Sequence, residues 1–377
     1  MSDQIAIETL KALLQQAAVA TENGDFGTAR HIATQILDND TGNLAALHIY
    51  FDSTKIEQND SILNRLSKFC ENKSLPNSIQ SQLQFMYGKG LSDQGQYERA
   101  FHAFNLANQL SGKKANPNAT ASLSRALINS VKNRNIPRLN AGDQRMIFVL
   151  GMPRSGTSIM SQSLGCHSDI VSLGERVGLG QALEQAGWKG LSSDSLAAFI
   201  DGLDQSTLRD IRKNYRKSID AQGHVYVDKM PENYWFAWII PHIFPKAQII
   251  HMKRPPLANC WSCFRHDFKD GHHYSYNFKT MMAQYAIYAE MVSHWSAIAP
   301  DIWHDVNLDE FVVDPQKHLL PVFENLALPW QDACLTPEKS KSSVSTLSKW
   351  QVRQGLDVKI SQDWQNYLPF IQNSFLK

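Results

Sequence analysis

The run Phe148-Val149-Leu150-Gly151-Met152-Pro153-Arg154-Ser155-Gly156-Thr157-Ser158 constrains what this chain can fold into more than any other. Apolar residues from Met146 to Leu150 make a short strand, a Gly-x4-Gly turn follows, and a helix opens beyond it. Turns of this kind aim successive backbone N–H groups at an anion, and the positive end of the helix adds to the attraction. Val225 to Val227, Gln248 to Met252 and Ile302 to Val306 read as further strands separated by helical stretches. That alternation predicts a three-layer α/β domain built on a parallel sheet. In such a sheet a ligand binds beyond the carboxyl ends of the strands.

Before Met146 the chain reads as helix after helix. Ile5 to Glu22 carries a stripe of Leu10, Leu13, Leu14, Ala17 and Ala18; Gly24-Asp25 breaks it, and Phe26, Ala29, Ile32, Ala33, Ile36 and Leu37 form the next. Residues 80–111 repeat the design, with Leu83, Tyr87, Gly88 and Leu91 on one helix, Gly95 and Tyr97 at the turn, and Ala100, Phe104 and Ala107 on the next. A small residue facing an aromatic at this spacing matches the tetratricopeptide pattern of about 34 residues. Phe26 and Tyr97 occupy equivalent turn positions 71 residues apart, and the interval from Leu44 to Cys70 is degenerate. A plain helical bundle is the alternative. Lys113 to Ala121 reads as a loop, Ser122 to Lys132 as a last helix, and Asn133 to Asp143 as a linker. The expected division is an all-α helical-repeat domain over 1–140, followed by the α/β domain over 141–377.

With 37 basic and 36 acidic residues, net charge +1, the chain lacks the cationic excess of a duplex nucleic-acid binder, but a local cluster still suits a small anion. Five scattered cysteines imply no disulfide framework. The start, Met1-Ser2-Asp3-Gln4, shows no basic region followed by an apolar run, and the most apolar stretch, Trp235 to Phe244, is too short to span a bilayer. A cytoplasmic protein with no membrane span is expected.

A nucleotide-hydrolysing loop would continue Gly-Lys-Ser/Thr, whereas Thr157 follows Gly156 here and the cation sits inside the turn as Arg154. No acidic residue for magnesium is evident, since Gln248 to Met252 runs into Lys253-Arg254. Arg254 ends that strand and Ser262 lies about two turns into the helix that follows. Both would face the crevice of the first turn, and two anion sites in one crevice suit a ligand with two separated anionic groups.

Met152 to Ser158 resembles the 5′-phosphosulfate loop of sulfotransferases, and Ile250 to Phe264, with Arg254 and Ser262, resembles their 3′-phosphate motif. The chain is most similar to the bacterial tetratricopeptide-repeat-containing sulfotransferases, which are similar in turn to tyrosylprotein sulfotransferases. The likeness also takes in Gly174-Glu175, Asp228-Lys229-Met230-Pro231, Leu308-Asp309-Glu310 and Gln351-Val352-Arg353-Gln354, covering roughly 145–365. It implies a P-loop-like fold and a donor, 3′-phosphoadenosine 5′-phosphosulfate (PAPS), with no metal. The sulfuryl group would move in line to a tyrosyl, sugar or phenolic hydroxyl, or to an amine. Pro153, Arg154, Ser155, Gly156, Thr157 and Ser158 would hold the 5′-phosphosulfate, and Arg254 and Ser262 the 3′-phosphate. Glu175, 21 residues after Arg154, stands at the place of the catalytic base, and Lys229 at that of a lysine assisting the departing oxygen. Arg154 would share that charge stabilisation. Ser345, Ser348 and Arg353 would close over the nucleotide.

The chain departs from the family where Ser158 replaces a threonine, Pro255 replaces the acid of Arg-Asp-Pro, and Ser345 replaces a frequent arginine. A protein or peptide docked by the repeats is one candidate acceptor. A P-loop kinase or NTPase and a catalytically silent nucleotide-sensing scaffold are the competing expectations. His167 and His251 read as structural, Cys260-x-x-Cys263 as a helical coincidence, and His266, His272 and His273 as the acceptor-side rim.

Overall fold

The computed structural model describes residues 2–132, 134–142, 145–190, 193–220, 222–268, 271–339, 355–357 and 361–375. The helical part comprises α1 (Ser2–Asn23), α2 (Phe26–Asn39), α3 (Leu44–Asp52), α4 (Ser61–Cys70), α5 (Asn77–Asp93), α6 (Tyr97–Ser111) and α7 (Pro117–Lys132). Short polar side chains start several of them: Asp25 accepts from the Thr28 N–H, Asn43 from that of Ala46, and Asp60 from those of Ile62 and Leu63. Phe26 and Tyr97 each open the second helix of a hairpin. A Cβ on Gly88 would stand 2.7 Å from the Phe104 ring, so the glycine lets α5 and α6 close onto that aromatic. The final helix begins at Pro117, inside the stretch expected to be loop; proline suits a first helical turn, whose N–H has no intrahelical acceptor.

The sheet is wholly parallel. Its strands β1 (Arg145–Gly151), β2 (Ile170–Ser172), β3 (Val225–Lys229), β4 (Gln248–Lys253) and β5 (Trp303–Asn307) run in the order β2-β3-β1-β4-β5. At three residues β2 is too short to show a strand's alternation. The remaining helices are α8 (Thr157–Gly165), α9 (Gly178–Gln185), α10 (Ser193–Asp201), α11 (Gln205–Lys217), α12 (Ile240–Ile243), α13 (Pro256–Phe264), α14 (Phe278–Ile298), α15 (Leu308–Val313), α16 (Pro315–Asn325) and α17 (Leu368–Phe375).

Successive β1 side chains point to opposite faces of the sheet, and both faces are covered. Met146, Phe148 and Leu150 enter a core with residues of α9, α11 and α14, while Ile147 and Val149 pack with residues of α8 and α16. The first core runs on into Phe85, Phe101, Phe104, Leu127 and Val131 of α5 to α7. Phe101 stacks on Trp261 of α13 with centroids 5.5 Å apart, and the Asn108 amide donates to the Phe264 carbonyl at 2.8 Å. Helices α1 to α4 share a separate core with Leu83 and Met86 of α5. Among the described residues no helix is long and apolar enough to cross a membrane.

Candidate functional site

Gly151 sits where β1 passes β4 so closely that a Cβ would lie 2.6 Å from the Met252 carbonyl oxygen. The turn tightens through a Ser155 N–H to Met152 carbonyl bond and places Arg154 at φ +66°, an uncommon conformation for a residue with a Cβ. Gly156 follows at φ +104° as the N-cap of α8 and supplies no side-chain cap. As at any helix start, the first-turn N–H groups of α8 have no intrahelical acceptor. Gly156, Thr157 and Ser158 line a cavity of about 670 Å³ at the carboxyl ends of the strands. Its electropositive end is the end that receives an anion.

On the β2 side, ladder bonds continue past the strand. The Leu173 N–H donates to Val227, and the Lys229 N–H donates to Gly174. This register sets Glu175 against Lys229, whose Nζ donates to Glu175 Oε1. Burial depresses the ammonium pKa, with Glu175, then Glu232 and Asp228, opposing it. Asp228, one residue earlier on β3, projects from the opposite face and is fully buried, accepting from the Tyr215 hydroxyl at 2.7 Å and from the Asn233 amide at 3.1 Å. Burial pushes its carboxyl up to about 6, only partly offset by those bonds and by Arg176 and Lys229.

On the β4 side, Arg254 is 7% exposed. Its guanidinium donates to the carbonyls of Arg154 and Ser361, backbone acceptors where a carboxylate partner is lost to Pro255. Helix α13, opening with Pro256, braces the first turn: Asn259 Nδ2 and Cys263 Sγ donate to the Pro153 carbonyl at 3.0 and 3.2 Å. Burial, then the neighbouring Arg265, push Arg254 down to about 10 and Arg154 to about 9, so both remain cations at neutral pH. Burial also works against charge on Arg265, but Asp363, its ion-pair partner, together with Tyr367 and Asp93 outweighs it. His266, bonded to the Ser262 carbonyl, is held well below its ordinary value by burial and by Arg154 and Arg265. The result is a cluster of three guanidiniums beside a neutral imidazole on the cavity wall.

The cavity brings together Pro153, Arg154, Gly156, Thr157, Ser158, Glu175, Arg254 and Ser262. Lys229 stands behind Glu175, and Ser155 is buried in the turn, its N–H committed to Met152. Ser345, Ser348 and Arg353 lie outside the described residues. Arg265, Asp363, Glu232 and His272 also line the cavity, as do Phe51, Asp52, Lys89 and Asp93 of the helical part. His266 and His272, expected at the acceptor-side rim, do line the cavity, whereas the others fall in no local motif that composition or spacing exposes. His251 is clamped by Asp305 and Tyr288, and His167 takes the Asp169 N–H on Nδ1, so its Nε2 donates to the Pro329 carbonyl. Cys260 and Cys263 are buried thiols, Cys263 pushed up to about 12. Among the described residues no group of three His, Cys, Asp or Glu is arranged to hold a metal.

Fold and site together define a parallel α/β protein with an arginine-lined cavity where its strands end. Residues 146–332 match the model of the sulfotransferase family. Over 382 residues the chain is 24% identical to an uncharacterized protein of Aquifex aeolicus (strain VF5), covering 96% of this chain and 49% of that one. The chain thus spans about half the length of that relative. Protein-tyrosine sulfotransferase 1 of Danio rerio is 23% identical over 258 residues, 65% of this chain and 72% of the relative. Among solved structures, the sulfotransferase domain from the Synechococcus PCC 7002 olefin synthase aligns with TM-score 0.43 and 17% identity, covering 62% of this chain and 91% of that one.

Proposed function

We propose that the protein is a PAPS-dependent sulfotransferase that moves a sulfuryl group to an acceptor hydroxyl. The observation that carries this reading is one cavity lined by a helix start without a side-chain cap, by the half-buried Arg154 and the buried Arg254 from separate motifs, and by a carboxylate paired with a buried lysine. Sulfuryl transfer, like phosphoryl transfer, depends on in-line positioning and on stabilising developing charge. The donor supplies the activated group. Pro153 to Ser158 orient its phosphosulfate through backbone N–H groups and the Thr157 and Ser158 hydroxyls, with Arg154 at the same turn. Arg254 and Ser262 take the 3′-phosphate.

Glu175 removes the acceptor proton, a role typically worth about 10²–10⁴-fold. Lys229, released from Glu175 as that group takes up the proton, neutralises the departing oxygen together with Arg154. No metal enters this scheme. The kinase or NTPase reading is disfavoured because Thr157 stands where its lysine would reach the phosphates. Residues of α1, α3, α5 and α6 line one side of the cavity, which supports contact between the helical part and a protein or other acceptor. We place the enzyme in the cytoplasm.

Calorimetric titration with adenosine 3′,5′-bisphosphate and an acceptor screen with labelled donor test the assignment. Binding of the bisphosphate without divalent cation and label transfer are expected, with Glu175→Gln abolishing transfer while still binding the bisphosphate. ATP hydrolysis with magnesium in place of transfer would overturn it.

A further inference from the structure

The reaction scheme gives Glu232, on the cavity wall near Lys229, no task. After Lys229 the chain folds through a 3-10 turn, Pro231–Trp235, in which the Asn233 N–H donates to the Met230 carbonyl and the Asn233 amide is anchored to Asp228. This turn holds Glu232 on the cavity wall, three residues from the lysine that pairs with Glu175. Its Oε1 is sealed from solvent and stands 3.0 Å from His272 Nε2, at ion-pair distance but without an aligned hydrogen bond. His272 is fixed by contact of its other ring nitrogen, Nδ1, with the Tyr274 hydroxyl at 2.9 Å and by an edge-on ring contact with Phe268, centroids 4.8 Å apart. Glu232 also favours the charged form of Lys229. Of the three carboxylates that favour that ammonium, Glu175, Glu232 and Asp228, Glu175 accepts its hydrogen bond.

An ionised carboxylate only accepts hydrogen bonds. A carboxylate on the cavity wall offers acceptors that suit O–H or N–H donors and disfavour acidic groups. A simple phenol offers a single O–H, which Glu175 takes. We infer that Glu232, with His272, reads the acceptor and selects one that carries a second O–H or N–H donor beside the reacting hydroxyl, as a vicinal diol or an amino alcohol does. The inference rests on the sulfotransferase reading and deepens it.

Phenol, catechol and 2-aminophenol form a matched set that differs only in the second donor. Each is titrated into the full chain with and without adenosine 3′,5′-bisphosphate, and label transfer to each is then measured. A hydrogen bond to a charged group predicts that catechol and 2-aminophenol are favoured over phenol by roughly tenfold to a hundredfold in Kd and in KM. Glu232→Gln brings that ratio close to one, and His272→Gln reduces it. Bisphosphate affinity of each variant, measured alongside, reports whether it is folded. A ratio near one in the parent, or an unchanged ratio in Glu232→Gln, overturns the assignment. Failure to bind the bisphosphate or transfer label overturns the sulfotransferase reading instead, and the direct titrations still report on Glu232.

Discussion

At the scale of single residues, burial decides which charges act on a ligand. Arg254 is almost sealed and, among the described residues, bonds to backbone carbonyls rather than to a carboxylate, so its charge remains for a bound anion. Arg254→Ala is expected to weaken bisphosphate binding by about 1.5–3 kcal/mol, read by calorimetry; an unchanged affinity would remove Arg254 from the site. Asp228 gives a pH signature. Its carboxyl is raised from 3.8 to about 6 in the fold, so between those values the folded state holds a proton that the unfolded chain releases. Its stabilising contribution is complete below about pH 4 and lost as pH rises through about 6. Urea melts of the parent and Asp228→Asn should therefore diverge with pH, the parent losing roughly 2–3 kcal/mol relative to the variant between pH 4 and 7. Parallel stability curves would show that Asp228 titrates normally.

At the scale of elements, the strand–turn–helix unit was legible because its residues are contiguous and each glycine has a steric reason. The same holds for Arg254 and Ser262, joined by one strand end and one helix. Arg265 and Asp363, 98 residues apart, meet only in the folded chain, and no local pattern marks either. Strand β2 escaped notice because three residues cannot display a period. The start of α7 was misplaced because Asn116-Pro117-Asn118 reads as a breaker, whereas the proline occupies the first helical turn. Two glycines of the site differ in need: Gly151 is required by both its φ of +153° and its close contact, Gly174 by its φ alone. Gly151→Ala drives a methyl into the Met252 carbonyl and is expected to cost about 1–3 kcal/mol and to weaken the anion turn. Gly174→Ala, at φ +70° in open space, costs only about 1–2 kcal/mol from the backbone and spares the turn. Denaturant midpoints paired with bisphosphate affinities check this: equal loss of affinity in both variants would contradict it.

At the scale of the molecule, a division at residue 140 follows the change in sequence character but cuts through packed structure. Helices α5 to α7 share a core with the sheet, and polar ties reinforce it. The Tyr367 hydroxyl donates to Ser92 Oγ at 2.6 Å, and Lys113 Nζ donates to the Phe268 carbonyl at 3.0 Å. Removing residues 1–140 would expose Trp261, Phe264 and Tyr367, three aromatics now almost without solvent contact. At roughly 25 cal/mol per Å² of apolar surface, newly exposing about 400 Å² costs on the order of 10 kcal/mol, comparable with the whole stability of a typical domain. The fragment 141–377 is therefore expected to lack a cooperative thermal transition and near-ultraviolet dichroism. A chain trimmed only through α4 keeps the α5 to α7 buttress and should still melt cooperatively and bind the bisphosphate. It would nevertheless lose the Thr21, His48, Phe51 and Asp52 section of the cavity wall, so its acceptor KM should rise while donor affinity holds. Cooperative melting of 141–377 with undiminished bisphosphate binding would show instead that the helices are an independent appendage and that the shared core is dispensable.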